Sequence, residues 1–269
     1  VPALFPAIKL LVDRDRRPGR FVLTGSANVL LLPQISESLA GRMEVMTLWP
    51  FSAGELAGQT EGFLPALFSA EPGFPKGEAL DRTAYLQKIV AGGYPEALSR
   101  KTARRRDAWY GAYITTILQR DVRDLGRAKA LDAMPRLLEV AADQTAQLLN
   151  ISELATSFAL GRAALREHLR MLEQVFLVDL LPPWHALEHQ RLVKTPKLHL
   201  GDTGLAAALL RLDATALHSN RARLGQLLET FALQALRRQA TAFPQPITFS
   251  HFRQRDGQEV DIVLEQSHT

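Results

Sequence analysis

Arg162, Arg166 and Arg170 repeat at i, i+4 and i+8, and on a helix that spacing lines them along one side. Guanidinium groups in a row can bridge phosphates or read guanine edges, so the chemistry open to this stripe is nucleic-acid contact. A second candidate begins at Phe21-Val22-Leu23, a short apolar run that ends in the small polar residues Thr24, Gly25 and Ser26. A buried parallel strand delivers polar groups to the carboxyl edge of its sheet in this way, and α/β proteins hold ligands at that edge. Acids stand at Glu229, inside an amphipathic stretch, and at Glu259 and Asp261, inside a strand-like one. His185, His189 and His199 fall on loop and strand without a carboxylate beside them, so a structural or surface role is the better reading than a metal site.

The elements that must position the arginines are legible. A helix from about Ala133 to Leu148 precedes Asn150-Ile151-Ser152-Glu153, where Asn150 can cap and Glu153 can reach back as in a capping box. A turn at Ala159-Leu160-Gly161 leads to a helix over Arg162 to Gln174, whose Leu165, Leu169 and Leu172 form an inward stripe. This is helix-turn-helix spacing. A wing follows from Phe176 to Leu181, the Pro182-Pro183-Trp184 turn and a strand at Lys197 to Leu200. Two readings of the unit stand side by side: DNA contact through the arginines, or protein docking, with Glu167 and Glu173 neutralising part of the stripe.

Upstream, Ala7 to Val12 reads as a helix with Pro6 in its first turn, packing Ile8, Leu11 and Val12. A helix is expected at Asn28 to Leu32 and a second apolar run at Met43 to Trp49, stopped by Pro50. The pattern weakens from Glu55 to Gly77. Helix periodicity returns with Tyr85, Leu86, Ile89 and Val90 and stops at Gly92-Gly93. A long helix over about Thr102 to Leu125 carries Trp109, Tyr113, Ile114, Ile117 and Leu118 on its apolar side. Asp202 caps a helix that starts at Thr203. The last part is an amphipathic helix over Leu224 to Arg238 and a hairpin, Ile247 to Arg253 and Glu259 to Leu264, turning at Asp256-Gly257.

Composition bounds the alternatives. With 269 residues, 46% hydrophobic and 22% charged, the chain suits two or three globular domains. The absence of Cys removes disulfides, thiolate metal sites and Cys nucleophiles together. No apolar run nears the ~20 residues of a membrane helix, and a cytoplasmic protein without membrane contact is expected. A net charge of +4 is a modest attraction to polyanions.

Thr24-Gly25-Ser26, Ser38 to Arg42, Gly92-Gly93-Tyr94-Pro95, Asp202-Thr203-Gly204-Leu205 and Glu259-Val260-Asp261 occur together in one order. In that combination, and over nearly its whole length, the chain resembles a family of prokaryotic AAA-type ATPases. In that family the AAA module precedes a C-terminal region of unknown function with winged-helix and restriction-nuclease-like character. The resemblance implies a mixed α/β, mostly helical chain in four parts. Residues 1–57 are the C-terminal part of an AAA core, 58–130 a helical lid, 131–200 a winged helix-turn-helix, and 201–269 a partial nuclease-like α/β domain.

The resemblance also implies roles. Thr24 and Ser26 become sensor residues toward a terminal phosphate, and Arg42 a stabiliser of charge in phosphoryl transfer, with ATP and Mg2+ as cofactors of the intact protein. Read as a structural residue, Arg42 would pair Glu37 or Glu44 instead. Arg162, Arg166 and Arg170 become DNA contacts, and Arg120-Asp121 matches a family pair. Glu229, Asp261 and a later Glu-x-Lys would gather around Mg2+ in a PD-(D/E)xK-type nuclease, whereas the plain reading of Glu259-Val260-Asp261 is a polar hairpin strand. The sequence contains neither a G-x-x-x-x-G-K-[ST] loop nor that Glu-x-Lys, so a fragment without ATPase turnover or nuclease catalysis of its own is expected. Partners are DNA, another protein or a second copy. The alternatives to an ATPase fragment are a free-standing DNA-binding regulator and a Mg2+-dependent nuclease.

Overall fold

The computed structural model describes residues 4–26, 39, 41–73, 81–122, 132–184, 193–254 and 256–266. Helix α1, Leu4–Arg14, includes Pro6 in its first turn and buries Ile8, while Leu10 and Leu11 stay exposed. The two apolar runs near it depart from expectation. Residues 21–26 and 43–49 form no ladder strand, and Val22, Met46 and Leu48 are 85%, 84% and 99% exposed. A strand exists only against a partner that takes its N–H and C=O groups, and among the described residues none lies beside these segments. The helix expected at Asn28 to Leu32 lies outside the described residues.

Two short helices follow that periodicity does not announce, α2 (Ala53–Ala57) and α3 (Phe63–Leu67). The first is nucleated by a capping box in which Ser52 and Glu55 each bond the other's backbone N–H. Helix α4, Arg82–Ala91, is capped by Asp81 and stopped by Gly92 at φ +69°. A single turn, α5 (Pro95–Leu98), precedes α6, Ala103–Ile117, which Thr102 caps and a π-helical turn at Leu118–Val122 prolongs. The buried ring of α6 is Tyr110, one residue past the expected Trp109, which stacks on Tyr113 at 5.1 Å.

The next unit runs helix, strand, helix, helix, strand, strand. Its members are α7 (Met134–Asp143), β1 (Gln147–Leu148), α8 (Ile151–Ser157), α9 (Arg162–Gln174), β2 (Val178–Leu181) and β3 (Lys197–Leu200). Helix α7 ends earlier than expected, because Ala146 turns left-handed at φ 61° and releases the chain into β1. The three strands form an antiparallel sheet in the order β1-β3-β2. Leu165, Leu169 and Leu172 of α9 are buried as patterned, against Leu137, Leu138 and Leu198 of the same core. That core is continuous with Leu86, Ile89 and Tyr110, so the helices before the unit and the unit itself share one interior.

Helix α10 (Thr203–Leu210) is capped by Asp202, α11 (Ala214–Ser219) by Asp213, and the long α12 (Arg221–Thr241) by Asn220. The chain ends in an antiparallel hairpin, β4 (Ile247–Arg253) and β5 (Glu259–Gln266), with a bulge between Ser250 and Phe252. Pro183 bridges His251, and the Trp184 and His251 amides bond across that junction, so the hairpin lies against the end of β2. No helix among the described residues is long and apolar enough to cross a membrane. The molecule is mixed α/β with helix predominant and small sheets, as expected.

Candidate functional site

The acids singled out in sequence do converge. Glu229 comes from the middle of α12 and Asp261 from the exposed face of β5, and Lys197 of β3 stands between them. Its Nζ donates to Glu229 Oε1 at 2.8 Å and to Asp261 Oδ1 at 2.7 Å. The lysine side chain is 5% exposed, Glu229 17% and Asp261 54%, so the cluster spans from interior to surface. Burial alone would lower the Lys197 pKa, but the hydrogen bonds to Asp261 and Glu229 outweigh it and leave the ammonium raised above its ordinary value. Burial raises the Glu229 carboxyl despite the adjacent ammonium. The lysine is therefore charged at neutral pH, and the cluster is held by charge-assisted hydrogen bonds.

A buried polar layer supports it. His199, fully buried on β3, meets Thr230 of α12 at 3.0 Å through Nδ1, and Thr230 meets Thr145 at 2.9 Å. Burial, with the nearby charges of Lys197 and Arg237, pushes the His199 pKa down to about 3, so the ring is neutral. His251 on β4 bonds Thr195 O at 2.9 Å, and burial lowers its pKa as well. Of the sequence histidines, His199 is thus structural, while His185 and His189 lie outside the described residues. Open to solvent beside the cluster is a pocket of about 390 Å³, lined by Gln147, Lys197, Arg253, Glu229, Glu259 and Asp261 among others.

For Mg2+ these residues do not fit as they stand. The ammonium occupies the space between the two carboxylates, and among the described residues no group of three His, Asp or Glu side chains is placed to hold a metal ion. Sequence reasoning missed Lys197 because it lies in β3, far from either acid in the chain. Its one signal was a lysine in a strand that otherwise reads as core.

The arginines of α9 behave differently. Arg162, Arg166 and Arg170 are all exposed, as is Glu167 between them. Behind them, α8 is held by Asn150, whose Oδ1 accepts from Glu153 N at 3.2 Å. Its Nδ2 donates to Glu153 Oε2 at 3.0 Å, so Glu153 grips the cap side chain instead of the cap backbone. Toward the N-terminus, Thr24 and Ser26 are exposed. Arg42 Nε donates to Asp13 Oδ1 at 2.6 Å, an acid on α1 that the sequence reading did not consider. That hydrogen bond holds the Asp13 carboxyl below its usual range. The Arg120-Asp121 pair cannot be placed, since the Asp121 side chain is outside the described residues.

The two remaining sequence motifs meet in one knot. Asp202, 1% exposed, accepts from Gly93 N at 2.8 Å, Gly204 N at 2.8 Å, Tyr110 Oη at 3.2 Å and Arg238 Nη2 at 2.9 Å. Arg238 Nη1 also donates to Phe51 O at 2.7 Å, and Phe51 N donates to Gly93 O at 2.8 Å. A Cβ on Gly92 would lie 2.0 Å from Asp202 Oδ1, and one on Gly204 2.3 Å from the Tyr110 hydroxyl. Glycine is thus required where the two motifs touch.

Residues 82–216, about half of the chain, match the model of a domain of unknown function, DUF8612. The chain belongs to that family. Flanking the DUF8612 region, residues 1–57 match an AAA domain and residues 224–269 a second domain of unknown function, DUF4143. The matched regions divide the chain near the knot, with Phe51 in the first, Gly93 and Asp202 in the second and Arg238 in the third. Uncharacterized proteins of Mycobacterium bovis and Mycobacterium tuberculosis are each 32% identical over 267 residues, which is 99% of this chain and 54% of theirs. The chain therefore spans about half the length of the curated relatives it matches. No solved structure matches.

Proposed function

We propose that the chain is the output portion of an AAA-type ATP-hydrolysing protein. In this reading residues 131–200 act as a winged helix-turn-helix that contacts DNA, and the AAA segment reports nucleotide state to it. The observation that carries the DNA reading is the exposed row of Arg162, Arg166 and Arg170 on α9, the third helix of a helix-strand-helix-helix-strand-strand unit and the second of its α8–α9 pair. That is the element that enters a groove in proteins of this kind. Thr24 and Ser26 would hydrogen-bond the γ-phosphate or attacking water, and Arg42 would stabilise charge developing in transfer. ATP binding and hydrolysis belong, in this proposal, to the whole protein.

The test is fluorescence anisotropy of labelled duplex DNA across a salt series. Wild-type binding should weaken steeply with salt, and Arg166→Ala should weaken it further while reducing the log–log salt slope by about one. Binding that is absent, or indifferent to Arg166, leaves the unit as a protein-docking module. Mg2+-dependent DNA cleavage is the second reading, favoured by the convergence of Glu229 and Asp261 and opposed by the ammonium between them.

A further inference from the structure

Five cations, Arg100, Lys101, Arg104, Arg105 and Arg106, fall within seven residues at the start of α6. Less the two flanking acids, Glu96 and Asp107, they leave a local excess of three positive charges, against +4 for the whole chain. The rest of the chain is thus nearly balanced, and its positive field is concentrated here. Helix stability does not account for this placement. The N-terminal end of a helix carries the positive end of its dipole and favours acids, yet the first turn of α6 holds none. Arg100 pairs with Glu96 at 3.5 Å on the surface, whereas Lys101, Arg104 and Arg105 are exposed with no acid at ion-pair distance among the described residues. The element that carries them is firmly held. Just beyond the arginines, Trp109 stacks on Tyr113 and lies 5.6 Å from Tyr94, and Tyr110 Oη donates to Ala91 O at 2.9 Å. Like charges are therefore fixed side by side, and an external polyanion would relieve their repulsion.

We infer that the start of α6 is a second nucleic-acid contact, which grips the phosphate backbone of duplex DNA without reading its sequence. Four of the five cations are arginines, whose planar guanidinium forks meet phosphate oxygens two hydrogen bonds at a time. The surroundings select the class of partner. No large apolar side chain is exposed between residues 96 and 107. A protein interface is built on an apolar core depleted in charge, and a helix seated on lipid inserts apolar side chains. A nucleic-acid interface is polar and strongly positive, as this surface is. Phosphate contacts fix position and carry no sequence information, so this patch anchors any duplex alike. The inference does not rest on the reading of α9, whose arginines belong to another element.

The experiment is anisotropy of two labelled duplexes of unrelated sequence, titrated with the whole chain across a salt series. Arg104→Ala with Arg105→Ala should weaken binding to both duplexes about equally, by roughly tenfold at low salt, and lower the log–log salt slope by about two. Arg82→Ala with Arg221→Ala removes the same charge from exposed arginines at the starts of α4 and α12. That control should change affinity by less than about twofold. An unchanged Arg104, Arg105 variant overturns the inference, and so does an equal loss in the control pair, which would reduce the effect to net charge. Wild-type chain that ignores both duplexes but binds polyglutamate or phosphatidylserine vesicles through Arg104 and Arg105 also overturns it, in favour of an acidic protein or a lipid surface. Arg166→Ala, measured alongside, keeps the two readings apart. Loss there alone leaves the α9 proposal standing and sinks this one, and loss at Arg104 and Arg105 alone does the reverse.

Discussion

A carboxylate that is 1% exposed persists in an interior only when its charge is met, and Asp202 is met by Arg238, three backbone amides and a phenol. Removing one side of such a pair leaves the other buried and unpaired. Asp202→Ala is expected to cost about 3–5 kcal/mol of unfolding free energy by urea denaturation. Asp202→Asn, which keeps an acceptor for the Gly204 amide, should cost less. Tyr110 belongs to the same knot, and its ionisation is pushed far up, first by burial and then by the Asp202 charge.

His199 gives a pH dependence of definite sign. Its folded pKa of about 3 lies below the ordinary 6.5, so below that ordinary value the unfolded chain takes up a proton that the folded chain refuses. Stability should then fall as pH drops from about 6.5 and level off near 3. His251 shifts in the same direction and adds to the slope. Urea midpoints at about pH 7 and about pH 5 should differ more for the wild type than for His199→Asn, whose amide can still reach Thr230. Equal differences would show that the histidine is not the source.

At the level of elements, α9 separates buried and exposed residues by face. Leu165, Leu169 and Leu172 are buried and the three arginines exposed, so Arg166→Ala should leave the unfolding free energy within about 0.5 kcal/mol of wild type, and under the proposed function it weakens DNA binding. A large loss of stability would mean that the arginine acts through the fold instead. This helix was legible to the residue, Arg162 to Gln174, because a strong apolar stripe and a glycine before it fix both face and start. The hairpin was legible too, since Asp256-Gly257 dictates the bend. Strand β1 was not, because two residues carry no alternation to read. Residues 21–26 were expected as a strand and are not one. Apolar content states that a segment can be buried, whereas pairing depends on a neighbour elsewhere in the chain.

Across the whole molecule, interior and surface are unevenly finished. The described core is continuous from α4 to α12, yet Val22, Met46 and Leu48 in the AAA-matched segment face solvent. Such side chains contribute little to folding and much to adhesion. Met46→Ser with Leu48→Ser is expected to shift unfolding free energy by less than about 0.5 kcal/mol per site and to reduce concentration-dependent scattering. A marked destabilisation would show that these side chains are covered in solution. The candidate site was half legible on this scale. Glu229 and Asp261 were named from the sequence, but the lysine that joins them comes from β3, and that pairing is a property of the assembled chain. The motifs around Gly93 and Asp202 were legible as a signature and not as a contact, because hydrogen bonds between residues so far apart leave no local pattern.

The bond from Arg238 to Phe51 O joins residues 187 apart. A ribosome delivers the chain from its N-terminus, so Phe51 is synthesised long before its partner arrives. Long-range closures of this kind slow folding and prolong the life of incomplete forms. The segment around residue 51 should therefore stay open to chaperones and proteases until α12 has emerged, and its amide should become protected from exchange only in the last stage of folding.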